Sequence, residues 1–378
     1  MWNETDVSRK LGIRYPIIQG PFGGGLSSVA LVAAVSNAGG LGSYGLHTTA
    51  PDAIQDLASE IRAATDQPFA FNLWVPESDR DPVVDAAAFD RFLAPLRPYY
   101  RELGVAIPDL PTRFGHDYAQ QIEAVLEARP PVLSFVFGLP SPAILRECRR
   151  RNIVTVGTAT TVDEAILLEA AGLDCIVASG FEAGGHRGSF LRTPEASLTG
   201  VFALVPQIAD RVKTPVIAAG GVADGRGIVA ALALGAQGVQ IGTAFLACDE
   251  SGASPAHREK LLSPDARRTV LTRAFTGRLA RNIANRFTEE MAAYEADVAP
   301  YPVQRWLTGG FRAAALRAER DDLIALAAGQ AASLARRGSA SSLITRLVDD
   351  VGAITAGLAA DGSAVLPQVP QHRGDGGV

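Results

Sequence analysis

The chain has 378 residues, 47% of them hydrophobic and 20% charged, a composition that suits a globular protein with room for one barrel-sized domain and additions. A net charge of -5 without any basic stripe argues against a nucleic-acid partner, and no apolar run approaches the roughly 20 residues that a membrane span needs. Three widely spaced cysteines, Cys148, Cys175 and Cys248, show no metal-ligand spacing and read as buried free thiols; with a polar stretch at residues 1–10, they predict a cytoplasmic protein.

In chain order, short apolar, β-branched runs alternate with longer Ala-rich stretches of helical period. Strands are predicted at 15–20, 42–46, 69–75, 132–137, 154–157, 175–179, 215–219 and 238–241. Helices are predicted between them at 27–37, 51–64, 141–151, 162–171, 198–212 and 226–234. The strand runs are continuously apolar, which is what burial on both faces requires. Eight βα units in succession predict an α/β fold, a closed (β/α)8 TIM barrel over residues 1–253, in preference to an open doubly wound sheet.

Two segments break the repeat. Residues 76–131 are too long for one βα connection and predict an insertion after the third strand, helical around 85–103 and 118–128. Residues 254–347 predict a mostly helical region packed across one end of the barrel, covering the active site. The Gly-, Pro- and Gln-rich tail at 362–378 reads as disordered. The sequence carries no signal for oligomeric state.

Barrel chemistry gathers at the C-terminal ends of strands, above all after the seventh and eighth. Here those ends read Ala218-Ala219-Gly220-Gly221 and Gln240-Ile241-Gly242-Thr243. Phosphate needs close approach of several backbone N–H groups, which a Cβ would block, and the Thr243 hydroxyl adds a donor. The simpler reading is that the glycines serve only tight turns. Gly40-Leu41-Gly42-Ser43-Tyr44-Gly45 matches a dinucleotide pattern, but a helix precedes it and a strand follows, the reverse of a Rossmann site.

The sixth strand runs into Ser179-Gly180-Phe181-Glu182-Ala183-Gly184-Gly185-His186-Arg187-Gly188. A histidine on a glycine-rich turn at the functional end of a barrel is placed to meet a ligand, and its ordinary pKa suits proton transfer. Catalysis is the leading role for His186; contact with phosphate or solvent is the alternative. Glu182 reads either as its orienting partner or as a solvated carboxylate. His47, at the end of the second strand, is a weaker candidate. Asn72, amid apolar neighbours at the end of the third strand, must find partners in the backbone or in a heterocyclic ligand.

Taken together, Gln19-Gly20-Pro21, Asn72, Glu182-Ala183-Gly184-Gly185-His186-Arg187-Gly188, Ala219-Gly220-Gly221 and Gln240-Ile241-Gly242-Thr243 resemble the nitronate monooxygenase family, over roughly residues 11–347. The resemblance implies FMN as cofactor, contacted by Gly20, Asn72, Ser179, Gly184, Gly220, Gly221, Gln240, Ile241, Gly242 and Thr243, with His186 as catalytic base and no metal. It implies oxidation of alkyl nitronates by O2 to a carbonyl compound and nitrite, with small molecules as the partners. An NAD(P)H-dependent FMN reductase of an enoyl thioester or quinone is the alternative, since relatives with similar loops do such work. Ser179 stands where the family commonly has glutamine, and its shorter hydroxyl cannot reach as far as that amide.

Overall fold

The computed structural model describes residues 1–77 and 82–360; the tail expected at 362–378 lies outside the described residues. Its strands are β1 (Ile17–Gln19), β2 (Gly42–Gly45), β3 (Phe69–Trp74), β4 (Val132–Val136), β5 (Val154–Ala159), β6 (Cys175–Ser179), β7 (Gly185–His186), β8 (Val216–Ala219), β9 (Gly238–Ile241), β10 (Thr269–Thr272) and β11 (Ala280–Ile283). All except β7, β10 and β11 form one parallel sheet in the order β1-β9-β8-β6-β5-β4-β3-β2. Backbone bonds from Leu41 to Ile17 O (3.0 Å) and from Gln19 to Leu41 O (2.9 Å) join its two ends, so the sheet closes as a (β/α)8 barrel. The eight expected strands are all present, each within two residues of its predicted ends.

Period-two alternation explains the barrel's packing. Ile18, Val156, Cys175, Val177, Ile217 and Ala219 fill the interior. Ile17, Ile176, Ala178, Val216, Ala218, Val239 and Ile241 face outward and pack against helices. Both sets are apolar, which is why the strands read as unbroken apolar runs. Several helices begin at side-chain caps that fix where the strand-to-helix loops end, among them Ser28, Ser141, Thr161 and Asp224.

Helices follow the first seven barrel strands directly or after a loop, at Val29–Asn37, Ile54–Ala64, Tyr118–Ala128, Pro142–Arg150, Val162–Ala170, Val201–Ala209 and Gly225–Ala233. Helix Tyr118–Ala128 packs on the barrel through Ile122, Val125 and Leu126. The eighth barrel helix is separated from its strand. After β9 and a short turn of helix the chain leaves the barrel near Cys248, and it returns at Gly338, whose carbonyl accepts from Asp249 N–H at 3.1 Å. Helix Ala340–Ala360 then packs between Val29–Asn37 and Gly225–Ala233, burying Leu343, Ile344, Leu347 and Val351 in the barrel core.

The excursion between those points forms a second core over the barrel mouth. Phe275, Phe287, Met291, Val303, Leu307 and Phe311 pack there with Leu93, Leu96, Tyr99 and Tyr100 from the segment after β3. It contains helices at Pro255–Leu262, Arg286–Met291 and Val303–Arg317, and also an antiparallel hairpin, β10–β11, which the helical reading of the region did not anticipate.

Candidate functional site

A cavity of about 800 Å³ opens between the barrel mouth and this second layer. Its floor is the C-terminal ends of the barrel strands; its roof includes Phe275, Thr276, Arg305, Trp306, Arg312, Leu323 and Ile324, with Pro108 and Phe114 from the segment after β3. Lining it are His186, Gly20, Asn72, Ser179, Gly184, Gly220, Gly221, Gln240, Gly242 and Thr243, residues far apart in sequence that strand order brings together. Ile241 is the exception among the predicted site residues. Its side chain is fully buried on the outward face of β9, because alternation turns it away when Gln240 and Gly242 face the mouth. Only its carbonyl takes part locally, accepting from Gly20 N–H at 2.8 Å.

The histidine loop is more constrained than a glycine-rich turn. Gly185 and His186 form β7 and pair with Arg281 and Ala280 of β11, so the hairpin from the second layer grips the loop. Arg187 N–H adds a bond to Leu279 O at 2.9 Å. The Arg187 side chain, almost fully buried, donates to the carbonyls of Gly180 (2.6 Å), Ser179 (3.0 Å) and Ser197 (3.2 Å). Arg281 donates to Phe181 O at 2.8 and 3.1 Å. Glu182 neither orients His186 nor sits free in solvent: both its oxygens accept from Val201 N–H at 2.9 Å, capping a helix whose own N-cap, Gly200, has no side chain.

The ring of His186 is placed by aromatic walls and one hydroxyl. Trp74 and Phe137 meet it edge-on, at 4.9 and 6.1 Å between centroids, and its Nε2 lies 2.9 Å from Thr276 Oγ1. Thr276 Oγ1 also lies 3.2 Å from the Arg278 carbonyl, which can only accept. The hydroxyl hydrogen therefore goes to that carbonyl, Nε2–H donates to the threonine oxygen, and Nδ1 is left as the unprotonated nitrogen. Burial, then the charges of Arg278 and Arg305, pull the His186 pKa down to about 3, so the ring is neutral near pH 7.

The glycine loops of β8 and β9 have the character of a cradle. Gly220 and Gly221 hold φ of 106° and 71°, a region that disfavours any side chain, and a Cβ on Gly220 would press on Ala183 N and Gly180 O at 3.1 Å. A Cβ on Gly184 would strike Gly329 N at 2.5 Å. Thr243 Oγ1 accepts from Gly329 N–H at 2.9 Å, tying the β9 loop to the second layer. Asn72 donates from Nδ2 to Ser134 Oγ (2.9 Å) and O (3.3 Å). The glycines of the 40–45 pattern serve packing instead: a Cβ would meet Val32 O at 2.2 Å from Gly42 and Phe22 O at 2.5 Å from Gly45.

Sequence reasoning gave no role to Trp74, Thr276, Arg305 or Arg187, and ranked His47 low. His47 stacks on Trp74 (3.9 Å, 10°), with its Nδ1 buried and unpartnered. Burial, then Arg305 and His186, hold its pKa well below the usual imidazole value. A position at the end of β3, beside Asn72, was the one available signal for Trp74. Thr276 and Arg305 have no local signal, because they reach the site from the second layer.

A closed parallel barrel with glycine loops after its last two strands, and a neutral, held histidine in a covered cavity over its mouth, is the arrangement of a barrel enzyme acting on a small bound molecule. Residues 4–350 match the family model described as nitronate monooxygenase, and the chain belongs to that family of generally flavin-dependent oxidoreductases. It is 40% identical over 355 residues to a probable nitronate monooxygenase of Staphylococcus aureus, covering 94% of this chain and 99% of that one. Among solved structures it is similar to the nitroalkane oxidase of Streptomyces ansochromogenes, at a TM-score of 0.85 and 36% identity, covering 94% of this chain and all of the other. FabK from Thermotoga maritima is also similar, at a TM-score of 0.73 and 29% identity, over 94% and 98% of the two chains. Among the described residues, no helix is long and apolar enough to cross a membrane.

Proposed function

We propose that the protein uses FMN and O2 to oxidise alkyl nitronates, and the nitroalkanes that ionise to them, to a carbonyl compound and nitrite. The observation that carries this reading is convergence: the glycine cradle of β8 and β9 and the neutral His186 share one covered cavity, in a chain of this family. Gly220, Gly221, Gly242 and Thr243 would hold the FMN phosphate through backbone N–H groups and one hydroxyl, and Gly20, Asn72, Ser179, Gly184 and Gln240 would surround the rest of the molecule. The cradle fits, since added Cβ atoms at Gly184 and Gly220 meet backbone and the positive φ angles of Gly220 and Gly221 disfavour other residues. Bound FMN supplies the acceptance of two electrons and the reaction with O2.

His186 acts on the substrate proton. Nδ1, free of any hydrogen bond among the described residues, takes the α-proton of a neutral nitroalkane; a preformed nitronate needs no such step.

The test is a visible spectrum followed by anaerobic addition of ethyl nitronate. Flavin bands that fade and return with air support the reading. Bands that ignore nitronate but bleach with NADPH or NADH would replace it with a reductase of an enoyl thioester or quinone. In the same assay, His186→Asn is expected to reduce turnover of nitroethane by at least about a hundredfold, the scale of a lost general base, and that of ethyl nitronate much less. Equal loss on both would remove the base role.

A further inference from the structure

Of the charged side chains that face the cavity, two arginines stand out because no carboxylate opposes them. Among the described residues lining it, Arg305 and Arg312 carry the permanent charge, and no Asp, Glu or Lys is present. Arg312 donates to Gly24 O at 3.3 Å. Arg278, just behind the wall, pairs with Glu77 at 3.0 Å and lies over the rings of Phe137 (4.1 Å) and Tyr301 (4.9 Å). Arg305 differs from both. Among the described residues its side chain has neither a hydrogen bond nor an ion pair, although it is partly buried, in the first turn of helix Val303–Arg317.

A half-buried guanidinium with no opposing charge is costly unless a ligand brings the charge. The cofactor phosphate already has candidate donors at the β8 and β9 loops. Arg305 lines the cavity with His47, Trp74 and His186, and Tyr301, four residues before it, meets the Trp74 ring at 5.4 Å between centroids; its charge also lowers the pKa of both His47 and His186. His47 cannot be the countercharge: it is stacked on Trp74 and neutral. A nitronate carries one negative charge spread over two oxygens, a shape that the two-pronged face of a guanidinium matches.

We propose that Arg305 binds the anionic nitro group of the nitronate in the cavity that His186 and Trp74 line, and so selects the ionised substrate over its neutral conjugate acid. The proposal rests on the reading of the site as a nitronate-oxidising one. The same contact stabilises the nitronate that forms when His186 removes a proton, because the negative charge develops beside a fixed cation.

The experiment compares wild type, Arg305→Met and Arg305→Lys on ethyl nitronate and on nitroethane, with FMN content measured in each. Nitrate, which has the same planar oxygens and is not oxidised, serves as a second probe, its binding read from perturbation of the flavin spectrum without turnover. Arg305→Met is expected to raise KM for ethyl nitronate by at least about tenfold and to weaken nitrate binding by a similar factor, the scale of a lost charge-assisted hydrogen bond. KM for nitroethane should move by less than about threefold by the same arithmetic, since no charge is present before proton removal. Lysine at this position should recover much of the nitronate affinity, which a merely structural arginine would not require. Unchanged KM and nitrate binding in Arg305→Met, or an equal rise for both substrates, would overturn the proposal; so would loss of FMN in step with loss of activity, which would assign Arg305 to the cofactor. If wild type oxidises no nitronate yet binds nitrate in an Arg305-dependent way, the anion site stands and the oxidation reading falls.

Discussion

A histidine whose Nε2 is engaged by a threonine hydroxyl has one nitrogen left for a proton, and here the carbonyl behind the threonine decides which. Thr276 bridges His186 and the Arg278 carbonyl, so its expected role is to position the imidazole. Thr276→Val keeps the volume and removes the bridge. The expected outcome is a fall in kcat on nitroethane of about tenfold, the scale of a lost orienting partner, with KM little changed and Thr276→Ser restoring most of the rate. A loss confined to KM, or one that serine does not rescue, would show that the bridge does not orient the ring. His186 was legible in the sequence because four nearby glycines announce a ligand loop. Thr276 was not, since its partner lies ninety positions earlier in the chain. The free thiols were legible from composition: Cys148, Cys175 and Cys248 are buried and unbridged, and burial pushes their pKa values up to about 11, 12 and 12.

Between elements, the contacts that assemble the roof are polar as well as apolar. Glu102, from the helix Arg97–Glu102 after β3, bonds Arg286 at 2.9 Å and Arg320 at 2.7 Å across the second layer, and these two arginines also reach Glu290 and Asp322. Hydrogen bonds from Arg286 and Arg320 hold the Glu102 carboxyl down at about 2. Because the folded pKa lies below the ordinary carboxylate value, the stabilisation is present above about pH 4.5 and is lost as pH falls towards about 2. Glu102→Gln should therefore lower Tm at neutral pH, by a modest amount since the group is partly exposed, and the gap to wild type should close across that window. A Tm gap that stays constant with pH would mean that packing, not charge, couples the two segments. The strands of the barrel were readable one by one because burial on both faces writes the same apolar run each time. β7 was not readable: two residues pair with β11, and neither partner has a periodicity that shows it.

For the whole molecule, the closing helix carries an unusual share of the consequence. Ala340–Ala360 completes the ring of barrel helices only after the chain has built the roof, so the eighth βα unit encloses the second layer. Leu343, Ile344, Leu347 and Val351 each contribute about 1.5–3 kcal/mol by burial, together comparable with the about 5–15 kcal/mol net stability of a domain. Ending the chain at Ser339 should give a protein that unfolds without cooperativity and binds a hydrophobic dye. A sharp thermal transition near that of wild type would show that the barrel closes without this helix. By itself the sequence determined the parallel barrel and placed the glycine loops of its last two strands and the His186 loop at one end of it, because burial on both faces and close backbone approach each restrict residue type at adjacent positions. Only the tertiary structure decided that a hairpin grips the histidine loop, that Thr276 meets its ring and that Arg305 enters the cavity. Those outcomes depend on contacts between residues distant in the chain, and no local pattern of residue types encodes such a contact.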